Sequence, residues 1–445
     1  MECRRICKNL LLFSASMTIL FITLSAPLKA NNQPLQVRSS MAMYLLGSYQ
    51  RPVDDSPANP DNSILGLEGQ SLSFDVRPSI KADSGQFQLI ARPQFKTTLS
   101  RIKKGATENS EHPETKAKWL ESYGILNASD KILVSYGLQN YQWGAAESLN
   151  PSNRIFHENI DSKGVLSAVQ GKNIFRVNFS WTKHLSSILM SETEKARDAS
   201  EFRSGEEFET RTLMKHEMNW NSGADYVGVV YGAQEKGGPW VGEYFNLSLF
   251  DGLTLYGDAS HGRNSEAWYP VVERSAQVPT ANIVQMRQSE LTGNKFFTMA
   301  VGGLRYGFVG GSDLRFEYIL NSAGWTKEDS QRAVLALNKS NQLQLPDFET
   351  NLKRILKPGL EYRGQKYGMV SLRVPDAFDL RDLTIYGRYL RSLTDGSSSI
   401  YGSVEYAFWS ASTFVLSGFT TTGKADTELR GVVASNITAG IRQDF

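Results

Sequence analysis

The ionisable side chains of this chain fall between apolar ones at strand spacing. Phe175, Val177, Phe179 and Trp181 alternate with Arg176, Asn178 and Ser180. Leu314, Phe316, Tyr318 and Leu320 alternate with Asp313, Arg315 and Glu317, and Leu72, Phe74 and Val76 with Ser71, Ser73, Asp75 and Arg77. Successive strand side chains point to opposite faces, so each segment has one face of hydrocarbon and one of charge. Charges set out in this way can pair across neighbouring strands or meet a polar solute in water. The spacing is not that of a catalyst. The five histidines, His112, His157, His184, His216 and His261, are scattered, mostly in or beside expected outer loops, and G-x-S-x-G, H-E-x-x-H and a glycine-rich phosphate loop are all missing. The expectation is no enzyme, no metal and no cofactor.

The elements that must hold these charges begin after a leader. Met1–Asn9 carry Arg4, Arg5 and Lys8, an apolar run follows from Leu10 to Leu24, and Ser25-Ala-Pro-Leu-Lys-Ala30 closes it. That is the layout of a secretory signal peptide, 1–30, with cleavage after Ala30. Both cysteines, Cys3 and Cys7, lie in it, so the mature chain is expected to hold no disulfide, thiolate metal site or cysteine nucleophile. The leader takes four basic residues (Arg4, Arg5, Lys8, Lys29) and one acid (Glu2) with it, which moves the formal charge from +2 to −1. No basic bias remains to suggest nucleic acid.

From 31 to 445 no linker or shift in composition divides the chain, and a single domain is expected. Short alternating segments recur with turn signals between them, and their connections are by turns long and short. Strands are expected at 40–50, 68–80, 86–99, 116–127, 131–143, 163–170, 174–183, 208–220, 224–234, 240–250, 253–262, 294–308, 313–320, 358–374, 381–392, 399–409, 412–421 and over the final dozen residues. A helical stretch is expected near Gln331–Leu337 in the longest loop. The reading is all-β: a transmembrane, antiparallel, up-and-down β-barrel of about 18 strands, with 16 as the alternative, long outer loops and short periplasmic turns. A barrel of that size is wide enough for water. An Arg or Lys at the lipid midplane costs about 2–4 kcal/mol, so the charges are assigned to the lumen. The pore-lining candidates are Asp75, Arg77, Arg92, Glu121, Arg176, Arg315, Glu317, Arg373, Arg388 and Glu405. Each is expected either in an ion pair across strands or in contact with solute.

The chain ends on Phe445. Before it Val433, Ser435, Ile437, Ala439, Ile441 and Gln443 alternate with Ala434, Asn436, Thr438, Gly440, Arg442 and Asp444. A terminal Phe on such a strand resembles the assembly signal of Gram-negative outer-membrane barrels, although Gln443 stands where an apolar residue is usual. Glu121-Ser-Tyr123, then Gly137-Leu-Gln139-Asn-Tyr-Gln-Trp143-Gly144, then Asn150-Pro151-Ser-Asn153 resemble a stretch of several large outer-membrane porin-like families, over roughly 119–160. Where those families often carry acids, this chain has Ala145 and Asn153. The resemblance implies that the third outer loop, near 144–162, folds inward as a constriction, and Glu147, Arg154, His157 and Glu158 are its candidate residues.

The functional expectation is an outer-membrane channel for diffusion of small polar solutes, selected by size and lumen charge. The alternatives are an export or uptake channel for an apolar or polymeric substrate, and a non-conducting structural or adhesive barrel. A continuous apolar inner stripe would favour the apolar substrate, and the candidate lumen residues do not form one. The expected partners are outer-membrane lipid and lipopolysaccharide, the barrel assembly machinery and small solutes. A homo-oligomer is left open.

Overall fold

The computed structural model describes residues 35–102, 111–156, 166–194, 210–235, 238–263, 265, 267–274, 282–288, 296–342, 348–356 and 360–445. The leader, His157 and Glu158 lie outside the described residues. Among the described residues twenty strands run in chain order. The first eleven are β1 (Gln36–Pro52), β2 (Gln70–Ser84), β3 (Phe87–Arg101), β4 (Glu111–Ser129), β5 (Ile132–Gln139), β6 (Lys172–Ser180), β7 (Leu185–Glu194), β8 (Arg211–Trp220), β9 (Asp225–Gln234), β10 (Gly238–Phe250) and β11 (Leu253–Gly262). β12 (Trp268–Arg274) and β13 (Asn282–Gln288) pair only with each other. Then come β14 (Phe297–Gly307), β15 (Asp313–Asn321), two helices here called α1 (Lys327–Gln342) and α2 (Phe348–Leu356), β16 (Lys366–Val374), β17 (Leu383–Ser392), β18 (Ser398–Trp409), β19 (Ser412–Thr422) and β20 (Val433–Asp444).

Eighteen of these strands form one closed antiparallel barrel. Each pairs with its neighbour in sequence, except that β11 passes to β14 over the β12–β13 hairpin. Closure comes from β1, which pairs with β2 on one side and with β20 on the other, from Ala42 opposite Asp444 upward. Phe445 completes it: its N–H donates to Met41 O at 2.9 Å, and Met41 N–H donates back at 3.0 Å. A closed sheet leaves no unpaired edge, the requirement for strands in lipid.

The alternation sorts the faces as the spacing predicts. Phe74 is 48% exposed on the outside while Asp75 beside it is 1% exposed within. Phe175, Phe316, Tyr318, Ile437 and Ile441 are outward and exposed, and Arg176 and Glu317 are buried within.

The strand count matches the expectation of 18, but one strand is misplaced in it. Residues 166–171 are not a strand, and β7 occupies Leu185–Glu194, where the sequence reading put a loop. β7 escapes a period-two reading because both its faces mix apolar and hydroxyl residues: Leu185, Ser187, Leu189 and Ser191 on one, Ser186, Ile188, Met190 and Glu192 on the other. The hairpin β12–β13 and helix α2 are further elements not anticipated, whereas α1 contains the expected Gln331–Leu337 stretch. Together with Ala58, Ala267, Met286, Ala323, Trp325 and Leu360, the helices build an apolar cap at the end of the barrel that carries the long loops.

Candidate functional site

The third long loop leaves β5 and crosses the barrel interior. Two glycines allow its departure. Gly137 has φ +127°, and a Cβ there would run into the Ser122 carbonyl oxygen. Gly144 has φ +94°, and a Cβ there would strike the side chains of Asn150 and Asp258. Between them, Gln139 is buried, accepting from Ser135 Oγ at 3.0 Å and donating to Ile174 O at 2.9 Å. Trp143 donates from Nε1 to Ser152 Oγ at 2.8 Å, which folds the loop back on itself.

The loop is then tied to the far wall by two buried carboxylates. Asp258 on β11 accepts from Ser152 N–H at 2.6 Å and from Ser152 Oγ at 3.0 Å. Glu317 on β15 accepts from the N–H groups of Glu147 at 2.6 Å and Ser148 at 2.9 Å, and from Tyr256 OH at 2.8 Å. Glu147 reaches further: its carboxylate accepts from Ser371 Oγ on β16 at 2.7 Å and from Tyr386 OH on β17, and lies 3.5 Å from Arg315 Nε. β15 to β17 stand roughly across the barrel from β5, so the loop divides the lumen.

The two halves differ in chemistry. On the β6–β10 side the inward residues Ile174, Ile188, Met190, Leu213, Val230 and Trp240 are apolar and buried, and Trp143, Ile155 and Phe156 of the loop cover them. The candidate lumen residues form no apolar stripe, but these other inward residues do. The stripe exists, and the loop fills it. Lys215 is buried in the same half, 2.8 Å from Glu217 Oε2, with the Trp143 and Tyr244 rings over it. On the β16–β20 side an open cavity of about 680 Å³ remains. Its wall includes Arg373, Tyr386, Arg388, Tyr401 and Glu405, the loop contributes Glu147, and the outer end is lined by residues of α1, α2 and the segment 425–433.

The ten lumen candidates separate accordingly. Asp75 and Arg77 pair at 2.8 Å, and Arg77 also donates to Leu166 O at 2.9 Å on the returning limb of the loop. Arg92 pairs with Glu121, whose other oxygen accepts Asn140 N–H at 3.1 Å. Arg176 donates to Ser135 Oγ at 3.2 Å and lies 4.3 Å over the Tyr141 ring. Arg315 pairs with Asp313 at 2.9 Å, and Glu317 anchors the loop. Arg373, Arg388 and Glu405 line the cavity itself. Of the loop candidates, Glu147 faces the cavity, whereas Arg154 sits in the packed half, donating to Ser260 Oγ at 3.3 Å beside the Trp240 ring. Among the described residues no group of three or more His, Cys, Asp or Glu side chains could hold a metal ion.

Sequence reasoning missed Asp258, Tyr256, Tyr386 and Tyr401. The first two were within reach, since Tyr256, Asp258 and Ser260 share one parity on β11.

At the outer end, three short loops are latched together. Glu428 accepts from the N–H groups of Arg363 at 2.5 Å and Gly364 at 3.0 Å, and from Tyr367 OH. Its own N–H donates to Asp395 Oδ2 at 2.7 Å. Burial raises the Glu428 carboxyl, and the Arg363 charge, the Tyr367 hydroxyl and the Arg363 N–H offset this only in part. Burial would raise Asp395 as well, but hydrogen bonds from Glu428, Ser397 and Ser392 together hold it below its ordinary value.

No protein-family model matches the chain, and no curated protein matches its sequence. Solved structures match its fold. Pseudomonas aeruginosa OccK5 (OpdH) aligns with a TM-score of 0.53 at 10% identity, covering 92% of this chain and 98% of that one. Acinetobacter baumannii OccAB1 gives 0.52 at 10%, covering 95% and 99%. P. aeruginosa OccK2 (OpdF), solved in complex with glucuronate, gives 0.50 at 9%, covering 92% and 98%. At this identity the likeness is one of fold.

Proposed function

We propose that this chain is a bacterial outer-membrane channel through which small polar solutes diffuse along the β16–β20 wall. The carrying observation is the division of the lumen. One half is sealed by an apolar loop, and the other keeps a cavity of about 680 Å³ lined by Arg373, Arg388, Glu405, Glu147 and the Tyr386 and Tyr401 hydroxyls. That volume is in the range of small-molecule sites, about 300–1,000 Å³. Its strand wall suits a solute with hydroxyl or charged groups, while Val334, Leu337, Ile355, Leu356 and Leu360 give its outer end an apolar lining. The solved barrels of this shape are outer-membrane porins, which supports conduction rather than catalysis as the role.

On this reading the short turns face the periplasm and the long loops face outward. The outward apolar side chains contact membrane lipid and lipopolysaccharide, and the strand ending on Phe445 is the part the assembly machinery reads. The third loop, with Glu147 at the cavity, is the constriction. Reconstitution in a planar bilayer, with liposome swelling over sugars and small acids of graded size, tests the proposal. Discrete open-channel steps and a size cut-off are expected. A folded barrel that never conducts would favour the structural or adhesive role, and transport confined to an apolar or polymeric substrate would favour the export or uptake channel.

A further inference from the structure

From β15 to β20 the ladder register fixes which positions point outward. Phe316, Val370, Leu372, Tyr389, Ile400 and Leu416 are among them, all exposed. Every outward position in these six strands is apolar, aromatic, glycine, hydroxyl or amide, except two. The exceptions are Lys366 on β16 and Arg391 on β17, both exposed. Their neighbours Tyr367 and Ser392 turn inward and are fully buried, which sets the parity. Neither the ammonium nor the guanidinium has an ion-pair or hydrogen-bond partner among the described residues.

The two cations share one spot. Arg391 stands opposite Gly368, and Leu393 N–H donates to Lys366 O at 2.8 Å. Lys366 and Arg391 are therefore diagonal neighbours across the β16–β17 ladder, about 7–8 Å apart and within reach of long side chains. A Cβ at Gly368 would meet nothing within 4 Å, so the space beside Arg391 is open. The backbone below is fixed, because Thr394 Oγ1 accepts from the N–H groups of Gln365 at 2.9 Å and Lys366 at 3.1 Å.

Their height is also shared. Lys366 is eight residues above Val374, and Arg391 is eight above Leu383, the strand ends at the short turns. At about 3.4 Å per residue on a strand tilted by about 40°, both stand about 20 Å up, towards the outer edge of an apolar band about 25 Å tall. Among the described residues two more barrel-strand cations face outward, Arg51 on β1 and Arg101 on β3, and they too end their strands at the long-loop side. Arg51 already has Asp54 at 3.9 Å.

We infer that Lys366 and Arg391 bind a phosphate of lipopolysaccharide in the outer leaflet. The inference rests on the outer-membrane placement proposed above. Two like charges side by side repel each other until an anion lies between them. A guanidinium offers a phosphate a planar fork and an ammonium adds a point charge, both as charge-assisted hydrogen bonds. No outward acid on β15–β20 opposes the anion. The exposed Val370, Tyr389 and Ile400 lie directly below, where acyl chains of the same lipid would run. A solute bound for the cavity is a poorer occupant, because both side chains point away from the lumen.

Native mass spectrometry of the barrel in mild detergent with EDTA tests this, since fixed cations hold a phosphate without divalent ions. The probes are deep-rough lipopolysaccharide, the same lipopolysaccharide with its phosphates removed, and inorganic phosphate. The native barrel should retain the first. The Lys366→Gln, Arg391→Gln barrel should bind it at least about tenfold more weakly, and the native barrel should lose about as much towards the dephosphorylated lipid. Lys366→Arg should keep binding, and so should Arg381→Gln, which removes one charge at a short turn. Both glutamine positions are exposed, so heat-modifiable gel mobility and channel conductance should stay as in the native barrel. A barrel that never conducts yet retains lipopolysaccharide through these residues would count against the channel and leave this site standing. If the double variant does not assemble, Arg391→Gln alone and the phosphorylated against dephosphorylated comparison decide. Equal retention by native and variant barrels, equal retention of the dephosphorylated lipid, an equal loss in Arg381→Gln, or binding of inorganic phosphate without the lipid would each overturn the assignment.

Discussion

Glu147 and Glu317 are 170 positions apart in sequence, and the backbone N–H of the first donates to the carboxylate of the second at 2.6 Å. The bond joins the tip of a loop rooted on β5 to the inner wall at β15. With the Ser148 N–H on its other oxygen, Glu317 holds the loop across the lumen by two charge-assisted hydrogen bonds, each worth about 1.5–3 kcal/mol. Glu317→Ala removes both and leaves two loop N–H groups without their acceptor. The expected result is larger and noisier single-channel conductance from a barrel that still folds. Unchanged conductance would mean that the loop does not limit the path.

The apolar underside of the loop provides the second hold. Ile155 is fully buried against the inward residues of β6–β10. Ile155→Ala should cost about 2–5 kcal/mol, the usual range for such a cavity. Most of that cost falls on loop docking, because the strand ladders are not touched. Protease cleavage near 155 and open-state noise should therefore rise together, while thermal unfolding of the sheet moves little. A large fall in barrel stability with no change in noise would show that the loop is part of the global core.

Arg388 lines the cavity on β17, two residues from Tyr386, which bonds Glu147 of the loop. Arg388→Gln removes a fixed positive charge from the path, which lowers the barrier for cations and raises it for anions. The reversal potential in a salt gradient should shift towards cation preference, and the shift should shrink at high salt, where the Debye length falls to about 3 Å at 1 M. Arg154→Gln serves as the contrast, since that guanidinium lies in the packed half and should leave selectivity nearly unaltered. The opposite ranking would move the conducting path to the β10–β11 side.

The barrel was legible because lipid imposes a rule on every strand. A charge such as Asp75 or Glu317 cannot sit among Phe74 and Phe316 on one face, so period two survives wherever one face meets lipid. It failed at β7, where Ile188 and Met190 point inward at a loop that covers them, and Ser187 points outward to His216. The stretch 163–170 was read as a strand for the same kind of reason. Its described residues, 166–170, are half-buried or exposed on the returning limb of the loop, where Leu166 O accepts from Arg77. Glu147, the loop residue at the cavity, was legible from the loop. What it would touch was not, because Ser371 and Tyr386 come from strands more than two hundred residues away.

The latch at the mouth gives a pH dependence of known sign. Asp395 is held below its ordinary value, so its contribution is present above the unfolded carboxyl value, about 3.9, and is lost as pH falls through the folded one. Glu428 is raised, so its contribution is complete below the unfolded value, about 4.3, and is lost as pH rises through the folded one. The junction of 363–364, 395–397 and 428–429 should therefore be tightest in mild acid and loosen towards neutrality. Amide hydrogen exchange of 425–432, corrected for the intrinsic pH dependence of exchange, should show maximal protection in mild acid. Glu428→Gln keeps the size of the side chain and stays uncharged, so it should remove the loss of protection on the neutral side while leaving the acid limb, which belongs to Asp395. Asp395→Asn should do the reverse. Protection that climbs steadily from mild acid to neutral pH in the native protein, or a Glu428→Gln profile that overlays the native one, would show that this carboxyl does not govern the mouth.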